Sequence, residues 1–173
     1  MKFMMKPPVI KTPRLLLQPI LEKDKNEMME IVVKDEVKKT YMIPDFANLE
    51  EKEKFVNRLK ELSGKLDRFV YAIYLNQHII GFMNEVNKTE DSIEIGYFID
   101  PKYWNQGYAT EALKEAIKYL FRMGYLHVTA SHFAINPASG RVMEKAGMRK
   151  TSERSFIDYR GQTHELVNYI IDK

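Results

Sequence analysis

The amino-acid sequence predicts an α+β fold with a mixed, mostly antiparallel central sheet that is flanked by helices. Three observations support this prediction. Apolar segments separated by short polar turns run over residues 68–99, a strand–helix–strand crossover follows over residues 93–134, and no internal repeat or linker interrupts the chain. A chain of 173 residues can bury a sizeable core, so we expect one domain over residues 1–173.

The first part of the chain is predicted to contain one strand and two helices. The strand covers residues 14–19. Apolar side chains then recur at helical spacing over residues 22–33 and again over residues 49–66. We interpret the first of these segments as a helix and the second as a helix or a broken helix.

Three antiparallel strands are predicted next. Two of them, at residues 68–75 and 78–86, lie on either side of Asn76 and Gln77, which provide a short hairpin connection. The third strand covers residues 93–99. Neighbours along the chain are expected to be neighbours in the sheet.

The second half of the chain begins with a parallel crossover. A helix that starts near Gln106 and ends at Gly124 leads into a strand at residues 126–134. Because a helix connects them, this strand and the strand at residues 93–99 should run parallel.

The last predicted elements are a helix and a hairpin. Residues 137–146 form a helix closed by Gly147. Strands around residues 149–157 and 165–171 then flank a turn at residues 160–162.

Composition indicates an ordinary globular protein. The chain is 45% hydrophobic and 29% charged, and its net charge of +3 comes from interspersed Lys and Arg, which does not indicate nucleic-acid binding. No apolar run approaches the roughly 20 residues of a membrane span, and the N-terminus lacks the apolar centre of a signal peptide. We therefore expect a cytoplasmic protein with no membrane partner. With no cysteine and four scattered histidines, we expect no metal site.

The most informative segment is residues 103–112, where the strand at residues 93–99 joins the next helix. Free backbone N–H groups from Gln106 to Thr110 would point toward the strand end and attract an anion, and Gly107 would let a phosphate approach. The alternative is that Gly107 is only a turn residue. The chain has neither a P-loop nor a three-glycine dinucleotide motif, so nucleotide hydrolysis and hydride transfer are not expected.

A second polar segment, residues 136–148, follows the other parallel strand. Asn136 suits a helix N-cap, Pro137 suits the first helical position, and Ser139 lies in the first turn. Capping and exposure to solvent are the simplest roles for Asn136 and Ser139. However, ligands bind outside the carboxyl ends of parallel strands, so this segment and residues 106–110 should face one cleft.

At this point the chain resembles the GNAT superfamily of acetyl-CoA-dependent N-acetyltransferases, in particular the branch of bacterial ribosomal-protein N-terminal acetyltransferases. The resemblance runs nearly end to end. Residues 12–15 with Asp24 are similar to the branch's opening strand and helix, residues 94–97 with 101–112 to its pyrophosphate motif, and residues 136–148 to its closing motif.

Three residues depart from the family pattern. Trp104 stands where the wider superfamily has Gln or Arg, and Gln18 stands where this branch usually has Arg. Met143 occupies the position of the superfamily's common Tyr. The last departure leaves the identity of the general acid open.

The resemblance implies acetyl-CoA as a cosubstrate and no metal. In the family, a bulged strand and its parallel neighbour separate, and pantetheine lies between them like an extra strand. Backbone groups around Phe98 and Ile99 would pair with it, and Asn136 would bind the pantetheine arm or an ordered water. The cofactor-binding residues implied in this way are Phe98, Ile99, Gln106, Gly107, Tyr108, Ala109, Thr110, Asn136 and Ser139.

The implied reaction is direct attack by a primary amine, which needs a base because the amine is mostly protonated at neutral pH. Glu94 is the candidate base, and His132 is the second candidate. The alternative for Glu94 is a structural role, as an outward-facing strand residue or an ion-pair partner. A strand N–H would stabilise the oxyanion. Ser139 would give a proton to the departing thiolate, with Tyr97 and Tyr108 as alternatives.

The acceptor side of the cleft is expected between residues 41–66 and the hairpin near Arg160, with Tyr41, Asp45 and Phe46 as lining candidates. The expected partner is an amine, either a peptide N-terminus, as the branch suggests, or a small molecule. We expect a monomer or a homodimer.

A different class of function is also compatible with the sequence. On the same fold, the chain would be a non-catalytic CoA-binding or protein-interaction module, in which Glu94 and Ser139 only stabilise the structure.

Overall fold

A computed structural model describes residues 5–173 of the chain as an eight-stranded sheet with helices on both faces. The strands are β1 (Ile10–Lys11), β2 (Leu16–Gln18), β3 (Val70–Leu75), β4 (His78–Lys88), β5 (Ser92–Ile99), β6 (His127–Phe133), β7 (Arg149–Tyr159) and β8 (Gln162–Asp172). The helices are α1 (Lys25–Ile31), α2 (Asp35–Lys38), α3 (Leu49–Ser63), α4 (Tyr108–Arg122) and α5 (Pro137–Lys145).

The sheet confirms the predicted fold class. Its strand order is β1-β2-β3-β4-β5-β6-β8-β7, and every neighbouring pair is antiparallel except β5 and β6. The predicted hairpin between β3 and β4 turns at Asn76 and Gln77, which both have positive φ. The crossover through α4 makes β5 and β6 parallel, as predicted.

Several predicted boundaries were wrong. Helix α4 begins at Tyr108 rather than at Gln106, because Asn105 (φ 59°) and Gly107 (φ 82°) have left-handed backbone that a helix does not accept. Residues 22–24 form a 3₁₀ turn before α1. The short elements β1 and α2 were not predicted.

Strands β5 and β6 separate after only three paired positions. The ladder runs from Ser92 opposite His127 to Glu94 opposite Thr129, and no further pairs follow. We call this point the fork. The remaining residues of β5 and β6 diverge, as the family resemblance implied.

The bulge lies in β4, whereas the resemblance implied a bulge in the strand that borders the cleft. Glu85 opposes Ile95 and Asn87 opposes Glu94, so Val86 is the additional residue. Glu85 lies next to the bulge, and its buried side chain accepts a hydrogen bond from the backbone N–H of Phe69 at 2.8 Å. This contact ties Glu85 to the start of β3.

Two hydrophobic clusters pack on opposite faces of the sheet. One lies beneath α4 and α5 and includes Leu113, Ile117 and Tyr169. The other lies beneath α1 and α3 and includes Met28 and Phe98. The two faces of β5 therefore point to different surroundings, which is important for the site.

In residues 5–173, no helix combines the length and the apolar character needed to cross a membrane.

Candidate active site

A cavity of about 370 Å³ opens where β5 and β6 diverge. The end of β5, the turn before α4 and the start of α5 border it. Its lining includes Tyr97, Phe98, Ile99, Trp104, Gly107, Tyr108, Ala109, Thr110, Asn136 and Ser139. Eight of the nine residues that the sequence analysis assigned to the cofactor therefore lie together. The exception is Gln106, whose side chain donates to the carbonyl oxygen of Lys102 at 3.5 Å.

The turn before α4 presents free backbone donors to this cavity. Gly107 is the N-cap residue, and no side chain caps the helix. The first helical N–H groups, those of Tyr108, Ala109 and Thr110, therefore have no partner within the helix. Together with the helix dipole, they form a site for an anionic group.

A hydrogen-bonded network holds this turn in place. Glu111 accepts from the hydroxyl of Thr12 at 2.6 Å and from the backbone N–H of Arg14 at 2.7 Å, and it forms an ion pair with the Arg14 guanidinium at 2.7 Å. The same guanidinium donates to the carbonyl oxygen of Gln106 at 3.0 Å and lies over the Tyr108 ring. Sequence reasoning missed this network, because 97 positions separate Arg14 from Glu111.

The network changes the ionisation of Glu111. Burial favours the neutral acid, but the hydrogen bonds from Thr12 and Arg14 outweigh that effect and lower the pKa of the Glu111 carboxyl. Glu111 is therefore charged at neutral pH and stabilises the N-terminal end of α4.

The register of β5 determines which backbone groups reach the cleft. Phe82 opposes Phe98, and the Asp100 N–H donates to the carbonyl oxygen of Ile80 at 2.7 Å. Since ladder groups alternate in direction, the N–H and C=O of Phe98 point to β4, whereas those of Ile99 point to the cleft. The register therefore favours Ile99 over Phe98 for pairing with a ligand.

Trp104 also contacts the end of β5. Its indole N–H donates to the carbonyl oxygen of Ile99 at 2.7 Å, and the ring borders the cavity. The departure from the family pattern at this position thus has a structural role, since the indole fixes the strand end beside the cleft.

On the α5 side, Asn136 and Ser139 face the cavity. Asn136 occupies the N-cap position, but its side chain makes no capping hydrogen bond, so the simple capping role is not observed. The Ser139 hydroxyl lies 3.2 Å from the Tyr97 hydroxyl. Burial raises the pKa of Tyr97, which is therefore a protonated phenol at neutral pH.

Glu94 lies at the fork and does not line this cavity. Its side chain is half-buried on the face of β5 opposite to Tyr97. Within residues 5–173, its one side-chain hydrogen bond comes from the Ser131 hydroxyl at 3.4 Å. The ion-pair role considered for Glu94 is not observed among these residues, and the carboxylate can accept a hydrogen bond from a further donor.

His132 is not brought to the same face as Glu94. It is buried beneath α5, where a Cβ added to Gly140 would lie 2.7 Å from the imidazole Nε2. Its Nδ1 lies 2.7 Å from the carbonyl oxygen of Phe133. This packing does not favour His132 as the second candidate for the base.

The two segments that were expected to border the acceptor are joined by contacts that we call the clasp. The Tyr159 hydroxyl donates to the carbonyl oxygen of Ile43 at 2.9 Å, and Arg160 forms ion pairs with Asp35 and Asp45 at 3.2 Å each. The tip of the β7–β8 hairpin is thus attached to α2 and to the segment after it. The Lys38 ammonium beside Asp45 lowers the pKa of that carboxyl, so the ion pairs are intact at neutral pH.

Comparison with known proteins adds independent findings. The sequence profile of the acetyltransferase (GNAT) domain family matches residues 14–149. The uncharacterized N-acetyltransferase YnaD of Bacillus subtilis is 33% identical over 144 residues, which are 82% of this chain and 82% of that protein.

Solved structures share the fold. An acetyltransferase of the GNAT family from Bacillus anthracis has a TM-score of 0.79 and 28% identity, and the match covers 95% of this chain and 98% of that one. The ribosomal-protein acetyltransferase RimL in complex with coenzyme A has a TM-score of 0.80 at 19% identity, over 95% of this chain and 98% of that one. The second similarity is a similarity of fold.

Proposed function

Because the chain belongs to the GNAT acetyltransferase domain family and is an N-acetyltransferase, we propose that it transfers the acetyl group of acetyl-CoA directly to a primary amine in a ternary complex. The acceptor is a protein N-terminal α-amine or a small-molecule amine. The observation that carries the proposal is the fork, because it opens β5 beside an uncapped helix N-terminus. We further propose that residues 1–173 form one domain, which acts as a monomer or a homodimer.

The residues of the cavity are suited to acetyl-CoA. The uncapped N–H groups of Tyr108, Ala109 and Thr110 would hold its pyrophosphate. The cleft-facing backbone N–H of Ile99 and the uncommitted side chain of Asn136 would bind the pantetheine arm. When bound, acetyl-CoA supplies an acetyl group that is already activated as a thioester.

We propose Glu94 as the general base. An attacking amine must lose a proton, and a carboxylate can accept that proton directly or through one water molecule. Glu94 lies where β5 and β6 separate, and Ser131 leaves most of its acceptor capacity free. This position is next to the opening through which an acceptor amine would reach the cavity from the opposite face.

We propose Ser139 as the general acid. Its hydroxyl borders the cavity and lies beside the protonated Tyr97 phenol. Tyr97 can therefore replace a proton that Ser139 gives to a departing sulfur. Another backbone N–H of β5 that faces the cleft would stabilise the oxyanion.

The catalytic assignment is tested by two variants, Glu94→Gln and Ser139→Ala. We expect each to reduce kcat by about 10²-fold or more, the usual contribution of general acid–base catalysis, without changing the Kd for acetyl-CoA in calorimetry. Full turnover by both variants would contradict the assignment. If the wild-type protein binds acetyl-CoA but acetylates no amine, the non-catalytic module is indicated instead.

A further inference from the structure

A row of polar side chains crosses the sheet on the same face as Glu94. The Ser131 hydroxyl donates to the Glu94 carboxylate at 3.4 Å. Asn168 lies directly opposite Ser131 in the β6–β8 ladder, and its amide donates to the Ser155 hydroxyl of β7 at 3.0 Å. We call Ser131, Asn168 and Ser155 the acceptor row, and it begins at the fork.

This face of β6, β8 and β7 is not covered by α4 or α5. Those helices pack on the other face, where Ala130 and Tyr169 belong to their hydrophobic cluster. The side chains on either side of Asn168 on its own face are Leu166 and Ile170, and both are partly exposed. The acceptor row is therefore the polar centre of an open surface with apolar flanks.

Beyond Glu94 the row is neutral and has hydrogen-bond acceptors to spare. The Ser131 hydroxyl hydrogen is directed to Glu94, so the lone pairs of the Ser131 oxygen are available to accept a hydrogen bond. Both hydrogens of the Asn168 amide are directed to β7, to the Glu153 carbonyl oxygen and the Ser155 hydroxyl. The Asn168 Oδ1 has only a 3.5 Å contact with Ser155, so it remains free to accept.

We infer that the acceptor row binds the backbone N–H groups of an extended peptide whose amino terminus reacts beside Glu94, with Asn168 as a specificity-determining residue. This inference rests on the proposed function. Strand β6 lies between Asn168 and β5, and adjacent paired strands are about 4.8 Å apart, so Asn168 is at least about 10 Å from β5. An extended peptide covers about 3.4 Å per residue, so three residues span this distance and bring the amide group after the third residue to Asn168.

The neutrality of the row favours a peptide over a polyamine. A second ammonium group at the same distance would lose hydration beside Ser131 and Asn168 and gain no carboxylate in return. A peptide N–H requires only a neutral acceptor. Its side chains would pack on Leu166 and Ile170.

The test compares Asn168→Ala with the wild type on three kinds of acceptor. These are tripeptide amides with varied first residues, the matching single-residue amides, and spermidine. We expect kcat/KM to fall about fivefold to tenfold for the tripeptide amides, mainly through KM, because one hydrogen bond is lost. The single-residue amides are too short to reach Asn168 and should change less than about twofold.

A control variant excludes a general effect on the hairpin. Thr163→Ala removes a 2.6 Å hydrogen bond to Asp158 on the other face of the same two strands, and it should leave all three acceptor classes unchanged. Far-ultraviolet circular dichroism and thermal unfolding verify that both variants are folded.

The remaining outcomes overturn the inference. Equal losses for tripeptide and single-residue amides would assign Asn168 a structural role. A loss for spermidine alone would indicate a charged acceptor, and no loss for any acceptor would remove Asn168 from the site. If the wild type itself acetylates no amine, the proposed function fails and the inference fails with it, which distinguishes this case from a failure of Asn168 alone.

Discussion

Gly107 provides the sharpest structural test of the anion site, through the substitution Gly107→Ala. Gly107 has φ of 82°, a conformation that costs a residue with a Cβ about 1–2 kcal/mol. The new Cβ would also lie 3.3 Å from Nη2 of Arg14, so that guanidinium would have to move slightly. We expect a loss of about 1–2 kcal/mol in the free energy of unfolding.

Gly107→Ala should also weaken the binding of acetyl-CoA, which is the effect that tests the anion site. The added methyl group lies at the turn that presents the N–H groups of Tyr108 to Thr110, and any adjustment of the turn misdirects them. We expect the Kd for acetyl-CoA to increase at least tenfold, which corresponds to about 1.4 kcal/mol. Calorimetric titration measures the Kd, and urea unfolding measures the stability.

Gly124→Ala is the matched control. Gly124 lies just beyond the other end of α4, has φ of 107°, and has no atom within 4 Å of an added Cβ. It should lose comparable stability while the Kd for acetyl-CoA stays within about twofold. If Gly107→Ala binds acetyl-CoA as tightly as Gly124→Ala does, the turn is not the anion site and the reasoning is refuted.

Three further predictions concern the side chains around the site. Glu111→Gln should reduce the free energy of unfolding at pH 7 by about 1–2 kcal/mol, because it weakens the contacts with Thr12 and Arg14. The pKa of Glu111 is lowered from the ordinary 4.5, so its stabilisation is present above that value and is lost as the pH falls through the folded pKa. In urea unfolding, the difference from wild type should therefore shrink as the pH falls below 4.5. A difference that does not change with pH would contradict this account. Tyr97→Phe should lower kcat less than Ser139→Ala if Ser139 is the acid that Tyr97 supplies, and the reverse order in steady-state kinetics would make Tyr97 the acid. Arg160→Ala should raise the KM for the amine and leave the Kd for acetyl-CoA unchanged, because it opens the clasp on the acceptor side. A change in acetyl-CoA affinity alone would place the clasp on the cofactor side.

The sequence was sufficient for the elements that carry strong local signals. The strand at residues 93–99, the helical spacing after Gly107 and the helix start at Asn136 and Pro137 are local patterns, and together they predicted the parallel crossover and one shared cleft. The elements that were missed are short. Strand β1 has two residues and α2 has four, too few to show a period.

Features that depend on register or on long-range contact could not be predicted. The network between Arg14 and Glu111 joins residues 97 positions apart, and the acceptor row requires the pairing of Ser131 with Asn168. The start of α4 was placed at Gln106 because residue type alone does not reveal the left-handed backbone of Asn105. The catalytic roles of Glu94 and Ser139 remain predictions, since structure gives their positions and not their proton transfers.

The central claim is that the protein transfers acetyl from acetyl-CoA to an amine. The most direct measurement is thiol release from acetyl-CoA by the purified protein over a panel of peptides, polyamines and small amines, with the acetylated product identified by mass spectrometry. The account predicts acceptor-dependent thiol release and an N-acetylated product. Calorimetry that detects no binding of acetyl-CoA or CoA, together with no thiol release above background for any acceptor, would contradict it.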